Sequence, residues 1–259
     1  MKKMLSMMLI MASLLCNFSC SSDDEEDEKI RVPSSCQLKV GEKFNLGYQG
    51  NWVSQNPFSA TVDFNGIVSA VRQGSAIVQI KEKKLTCNIT VSPSYTLYTE
   101  PITQWGLSRS SIINKKGTPD SSSSTVIGYK NSSTIVPLEM YLFEDDKLSS
   151  SAVVVKTTYT SELIEHLSQR FMPATVDTDN YRLYFLDAET LSESKNVVVA
   201  ELYNTSHWLV MYMQKPDTKS IVDEKALFNS FSSLLNSNDS LTFNIQKRSR
   251  ETNQRRCDK

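Results

Sequence analysis

Apolar residues fall along this chain in three patterns, and each predicts a different element. The first is an apolar run over residues 4–15, interrupted only by Ser6 and Ser13, behind Lys2 and Lys3. A membrane-spanning helix needs roughly 20 apolar residues, so this shorter run predicts the hydrophobic region of a leader rather than a span. The second is alternation in short runs: residues 37–40, 43–46, 59–63, 67–71, 76–80 and 86–91. Gly41, Gly47, Gly50, Asn65-Gly66 and Gly74 punctuate them. Six strands at this spacing predict a small β-sandwich over residues 30–92. Asn65-Gly66 predicts a tight hairpin in which both turn residues take positive φ.

The third pattern joins a helical period to strand-like runs, and it occurs twice. Ser108 is a good N-cap for a helix over residues 109–116, and Gly117 with Pro119 stops it. Strand-like runs follow at 125–130, 138–143 and 150–156, with Asp145-Asp146-Lys147 turning between the last two. The same order returns about 52 residues later. Leu163, Ile164, Leu167 and Phe171 line one side of a helix over 161–171, and Pro173 ends it. Further runs lie at 181–186, 196–203 and 207–213. Helix plus three antiparallel strands, twice over, predicts a six-stranded sheet with helices on one face. Near the end, Leu227, Phe228, Phe231, Leu234 and Leu235 form the apolar stripe of a helix expected over 223–235, and 241–245 reads as a short strand.

The expected organisation is therefore a leader (1–19), a tether (20–29), a β domain (30–92), an α+β tandem-repeat domain with a C-terminal helix (95–245) and a disordered basic tail (246–259). Formal net charge is −1, so no global field draws the chain onto nucleic acid. Of the five cysteines, Cys16 lies in the leader and Cys257 in the tail. Cys36 falls in the first strand of the β domain and Cys87 in its last. First and last strands of a sandwich are often neighbours, so these two are candidates for a disulfide in an oxidising compartment. The alternative is a pair of small buried hydrophobes.

Asn17-Phe18-Ser19-Cys20 closes the leader with a small residue before cysteine. The segment resembles a bacterial lipoprotein signal, which implies that Cys20 becomes the lipidated N-terminus and ties the chain to a membrane. Leucine is missing from its usual third place before the cysteine. Cys16 is the competing site, but Leu15 stands where a small residue is wanted. Six acids, Asp23 to Glu28, follow. A like-charge block stays extended in water. It also resembles the signal that exports Bacteroidetes lipoproteins to the outside of the outer membrane.

Two further resemblances concern the domains. Leu38-Lys39-Val40-Gly41-Glu42, Trp52-Val53-Ser54-Gln55-Asn56, residues 60–70, Gly74-Ser75-Ala76-Ile77-Val78 and Cys87-Asn88-Ile89-Thr90-Val91 resemble a group 2 bacterial immunoglobulin-like domain. That implies an all-β sandwich with Trp52 in its core and a module found in adhesins and spacers. The first repeat carries Trp105-Gly106-Leu107-Ser108, Ile112, Gly117-Thr118-Pro119, Tyr129, Tyr141-Leu142-Phe143 and Asp146-Lys147-Leu148. It is similar to the small α/β fold of outer-membrane assembly lipoproteins and of a secreted β-lactamase inhibitor, both of which act by protein contact. The second repeat lacks the Trp-Gly pair and the Gly-x-Pro stop.

Residues for catalysis are sparse. His166 is expected on the polar side of its helix and His207 at the start of a strand. Asp177-Thr178-Asp179-Asn180 lacks the glycine and the final acid of a calcium loop. No Gly-x-Ser-x-Gly elbow and no phosphate loop occur. The expectation is a non-catalytic chain without cofactor or metal. It is read as a surface-exposed outer-membrane lipoprotein that binds a glycan or protein. The alternative is a periplasmic-facing scaffold or inhibitor of another envelope protein. Trp105, Trp208 and Tyr212 are the candidate ligand-stacking residues, and Ser240, in Asp239-Ser240-Leu241, resembles a Bacteroidetes O-glycosylation acceptor.

Overall fold

A computed structural model describes residues 31–215. Cys20, Ser240, the expected helix over 223–235 and the basic tail all lie outside the described residues.

The first unit is built from β1 (Ser35–Lys39), β2 (Lys43–Asn45), β3 (Val53–Ser54), β4 (Ala60–Val62), β5 (Ile67–Ala70), β6 (Gly74–Ile80) and β7 (Leu85–Ser92). They form a four-stranded sheet, β1-β7-β6-β3, and a three-stranded sheet, β2-β5-β4. Alternation explains which side chains face inward: in β7, Cys87, Ile89 and Val91 are buried while Thr86, Asn88 and Thr90 are exposed. Trp52, Val68, Val78 and Ile89 meet between the sheets. Trp52 donates its indole N–H to the Tyr48 carbonyl at 2.8 Å, which satisfies its one polar atom in the core.

The turn after β4 differs from the expected tight hairpin. Gly66 has φ +75°, but Asn65 does not share the left-handed region. Asp63 instead organises the turn: its carbonyl accepts from Gly66 N–H and its carboxylate from Ile67 N–H. A Cβ at position 66 would run into the Tyr48 carbonyl oxygen, so the glycine is needed for space as well as for φ.

The second unit is one sheet of eight antiparallel strands, ordered β12-β13-β14-β15-β11-β10-β9-β8. Its first half comprises α1 (Arg109–Lys116), β8 (Ser121–Ser122), β9 (Val126–Lys130), β10 (Leu138–Glu144) and β11 (Lys147–Lys156). Its second half comprises α2 (Thr160–Ser168), β12 (Met172–Asp177), β13 (Arg182–Leu186), β14 (Asn196–Asn204) and β15 (His207–Gln214). Each half is a helix followed by a four-stranded meander, and the last strand of one half pairs with the last strand of the other. Ser108 caps α1 by accepting from Ser111 N–H, and Gly117 ends it at φ +90°. Both helices lie on one face. α2 buries Leu163 and Leu167 against Val153, Val155, Val198 and Val210, and α1 buries Ile112 against Ile127, Tyr141 and Phe143.

This corrects the expected fold class, an all-β immunoglobulin-like sandwich followed by a helix-bearing α+β domain and a C-terminal helix. The described chain is mostly β-sheet, with two short α-helices of 8 and 9 residues. The sheet of the second unit has eight strands rather than six. The missed strands are those at its edges. Pro173 was expected only to stop a helix, yet it sits in edge strand β12, where a missing N–H removes no inner ladder bond. The β-branched Thr175 and Val176 then extend that strand beside Tyr184 and Leu183.

Cys36 and Cys87, candidates for a disulfide or for a pair of small buried hydrophobes, both lie in the core of the first unit. Both residues are buried thiols. β1 runs parallel to β7 with Cys36 opposite Ile89, so Cys87 lies two residues out of register. Burial, and then the neighbouring Cys36, pushes the Cys87 thiol up to about 11.

Gly66→Ala is expected to destabilise the first unit by about 2 kcal/mol, from left-handed backbone strain plus the clash with Tyr48. Urea unfolding followed by tryptophan fluorescence measures it; an unchanged midpoint would show that the turn relaxes freely.

Candidate functional site

The β10–β11 hairpin turns through Asp145 and Asp146, at φ +49° and +60°, with Glu144 opposite Lys147. Residues 105–108 run beside its base. Gly106 N–H donates to the Leu148 carbonyl at 2.9 Å, and Leu148 N–H returns a bond to the Leu107 carbonyl at 2.7 Å. Between this strip and the end of β15 lies an open groove of about 640 Å³, bordered by Trp105, Glu144, Asp145, Lys147, Ser149 and Gln214.

Trp105 is half-buried and its ring is held from behind. The indole N–H donates to Asn196 Oδ1 at 2.6 Å, and Asn196 Nδ2 donates to Asp187 Oδ2 at 2.6 Å. Asp187 also accepts from the Ser194 hydroxyl and from the backbone N–H groups of Lys195 and Asn196. Burial alone would raise Asp187, but these donors together hold its carboxyl below the ordinary 3.8. A fixed aromatic wall thus faces two exposed carboxylates, an ammonium and an amide. Such a set can stack an apolar ring face and hydrogen-bond hydroxyl groups. Sequence reasoning found Trp105 but not Asp187, Asn196, Glu144, Lys147, Ser149 or Gln214. The β10–β11 hairpin holds Glu144, Lys147 and Ser149 together, and the pairing of β11 with β15 and of β14 with β15 brings them to Gln214 and Asn196, which no sequence spacing relates to them.

The other two stacking candidates do not join this site. Tyr212 is only 2% exposed and its hydroxyl shares a 2.7 Å hydrogen bond with Tyr98, so it is a core residue and cannot meet a ligand. Trp208 is half-buried at the far end of β15, where its indole N–H donates to Thr160 Oγ1 at 2.8 Å.

His166 departs from expectation as well. It is fully buried, facing the linker that joins the two units. Its Nδ1 accepts from Leu97 N–H at 3.2 Å, and the Tyr98 ring lies 4.2 Å from its own. Its Nε2 has no partner among the described residues. Burial first, and then the nearby Arg170 cation, lowers His166 to about 3. Arg170 itself clamps the linker. It donates to the Tyr95 and His166 carbonyls and to Thr96 Oγ1, and it pairs with Glu100 at 2.7 Å. Gln169 completes the joint: its side chain accepts from Ser94 and Tyr95 N–H, and its carbonyl accepts from Gln73 N–H in the first unit.

A second polar cluster lies under α1. Glu139, 7% exposed, takes Lys116 Nζ at 2.8 Å and the Tyr141 hydroxyl. This pins the C-terminal end of α1 to β10. Asp177 is occupied by its own turn, accepting from Asp179 N–H and from both nitrogens of Asn180. Among the described residues, no three His, Cys, Asp or Glu side chains gather as a metal site. No protein-family model and no curated protein sequence matches the chain.

His166 gives a pH dependence with a definite sign. Its folded pKa of about 3 lies below the ordinary 6.5, so the unfolded state takes up the proton first. The stability contribution is complete above pH 6.5 and falls as the pH drops toward 3. At pH 5 the loss is about 2 kcal/mol relative to pH 7. Denaturation of wild type and His166→Gln at both pH values isolates it: glutamine keeps an acceptor for Leu97 N–H but does not titrate. An equal loss in both proteins would assign the effect elsewhere.

Proposed function

We propose that this chain is a lipid-anchored, surface-exposed envelope protein that binds a glycan in the groove beside Trp105, without catalysis. The observation that carries the binding half is the groove itself: one rigidly held indole beside Glu144, Asp145, Lys147 and Gln214. Sugar rings present an apolar C–H face and a rim of hydroxyls, and this combination answers both. Carboxylates accept hydroxyl protons, while the lysine and the amide donate. The groove is open and polar, as suits an oligosaccharide better than a compact apolar ligand.

The anchoring half rests on the leader, on Cys20 and on the acids from Asp23 to Glu28. No helix among the described residues is long and apolar enough to cross a membrane. In this reading attachment lies in the lipid on Cys20, with the acidic tether and the first unit carrying the groove away from it.

A second reading, a scaffold or inhibitor that holds a protein, is favoured by the open edge at β12. There Val176 and Tyr181 are 61% and 60% exposed, and among the described residues β12 pairs with a strand on one side only.

Capture of intact cells by a panel of glycan-coated beads separates the two readings. Cells carrying the chain are expected to bind beads of at least one glycan class. Proteinase K treatment of the intact cells is expected to abolish capture. Trp105→Ala should weaken it at least 10-fold, consistent with the ~1–3 kcal/mol of a stacking contact. Glu144→Gln, at an exposed position, serves as the folded variant and should also weaken it. Capture that ignores both substitutions, or no capture by any bead despite expression, would contradict the glycan reading.

A further inference from the structure

One short stretch of chain, in the last turn of α2 and just beyond it, grips the linker between the units. His166, Gln169 and Arg170 hydrogen-bond to each of Ser94, Tyr95, Thr96 and Leu97. The Gln169 carbonyl also accepts the Gln73 N–H of the first unit at 2.8 Å. On either side of this stretch the linker is anchored separately. β7 runs to Ser92, and Tyr98 is a core residue whose hydroxyl meets that of Tyr212 at 2.7 Å. Between these anchors, none of residues 93–97 is buried. Releasing them breaks hydrogen bonds but exposes little apolar surface, so this segment can open without unfolding its surroundings.

We infer that the end of α2 is an acid-sensitive latch: a proton on His166 frees residues 93–97, and the first unit then swings relative to the second while both stay folded. The geometry supplies the switch. His166 Nδ1 accepts from Leu97 N–H at 3.2 Å, so in the closed joint the imidazole is neutral and its hydrogen sits on Nε2. A second proton can enter only at Nδ1. It turns that acceptor into a donor aimed at another donor. It also places a fully buried cation beside Arg170, whose guanidinium rests on the His166 carbonyl at 2.8 Å. Nε2 has no acceptor among the described residues to stabilise that cation.

The closed joint holds His166 at about 3, and the open joint returns it toward the ordinary 6.5. The latch is therefore tightest above pH 6.5 and loosens as the pH falls. The other titratable groups at the joint are Glu165 of α2, Tyr98 and Glu100 of the linker and Tyr212 of β15. Burial raises both tyrosines, which stay neutral. Glu165 lies against the Gln169 amide. Glu100 pairs with Arg170, but burial outweighs that pairing and raises its carboxyl, so its protonation in acid favours the closed joint. His166 and Glu100 thus act in opposite senses, and replacing the histidine alone separates them.

Amide hydrogen exchange of the mature full chain, corrected for the intrinsic effect of pH on exchange, reads the latch residue by residue. Tyr95 and Leu97 are expected to open at least 10-fold more often at pH 5 than at pH 7. At pH 5 they should open far more often than Val153 and Val210 in the sheet. Ile102, whose N–H is held by the Tyr141 hydroxyl at 3.3 Å, should stay closed with the sheet. In His166→Gln, which keeps an acceptor for Leu97, the acid response of Tyr95 and Leu97 is expected to vanish. The wild-type chain decides the matter even if that variant does not fold. Linker amides that open only as often as Val153 and Val210 would show that the linker leaves by global unfolding alone, and would overturn the inference. An absent acid response in wild type, or an equal one in His166→Gln, would overturn it too.

Discussion

The antiparallel pairing of β11 with β15 is the constraint on which the second unit depends. It runs from Ser150 opposite Met213 to Lys156 opposite His207. Without it, the two helix-and-meander halves would each present an open edge and a small, incompletely buried core. With it, the halves share one sheet, and valines from both meet on the helical face. Val153, Val155, Val198 and Val210 are each 1% exposed or less. Each buried side chain of this size contributes ~1.5–3 kcal/mol of transfer free energy. The same pairing also creates two broad faces, and both must be kept from water. α1, α2 and the linker dispose of one, which explains why the linker runs over the sheet instead of projecting from it.

Buried polar groups at the linker show how the two units are joined. A guanidinium taken out of water is tolerable only when its donors are satisfied, and Arg170 meets that condition with two carbonyls, a hydroxyl and a carboxylate. Gln169 uses both ends of its amino acid, side chain to the linker and carbonyl to Gln73. His166 stays neutral beside them because burial and Arg170 both disfavour its cation. These contacts fix the path of residues 94–100, and with it the approach of the Trp105 strip to the end of the sheet.

Local patterns in the sequence located many elements and few of their partners. Alternation marked β6 and β7, which bury one face, and strand-like apolar runs marked β10, β11, β14 and β15, which bury residues on both faces. Ser108 and Gly117 bounded α1 because capping chemistry is local. Edge strands β8 and β12 were missed because they bury little and so carry no pattern; all four inner positions of β12 are exposed. His166 looked polar beside Glu165, yet α2 buries it with Leu163 and Leu167. Tyr212 had the composition of a ligand platform and the position of a core residue. The groove was legible only in Trp105. Its remaining groups converge through strand pairings that bring positions more than 60 residues apart together, and the relay from Asp187 through Asn196 has no signature in sequence.

The groove at Trp105 sits where the two halves meet, at the end of the β11–β15 seam, so its geometry depends on that seam being the last part of the sheet to open. Amide hydrogen exchange of the full chain measures this most directly. The amides of Ser151–Val155 and Leu209–Met213 are expected to be the slowest in the second unit, to exchange together, and to do so only through global unfolding of that unit. If instead β8–β11 and β12–β15 exchange as separate units, with the seam amides fast, the pairing is not what holds the structure together.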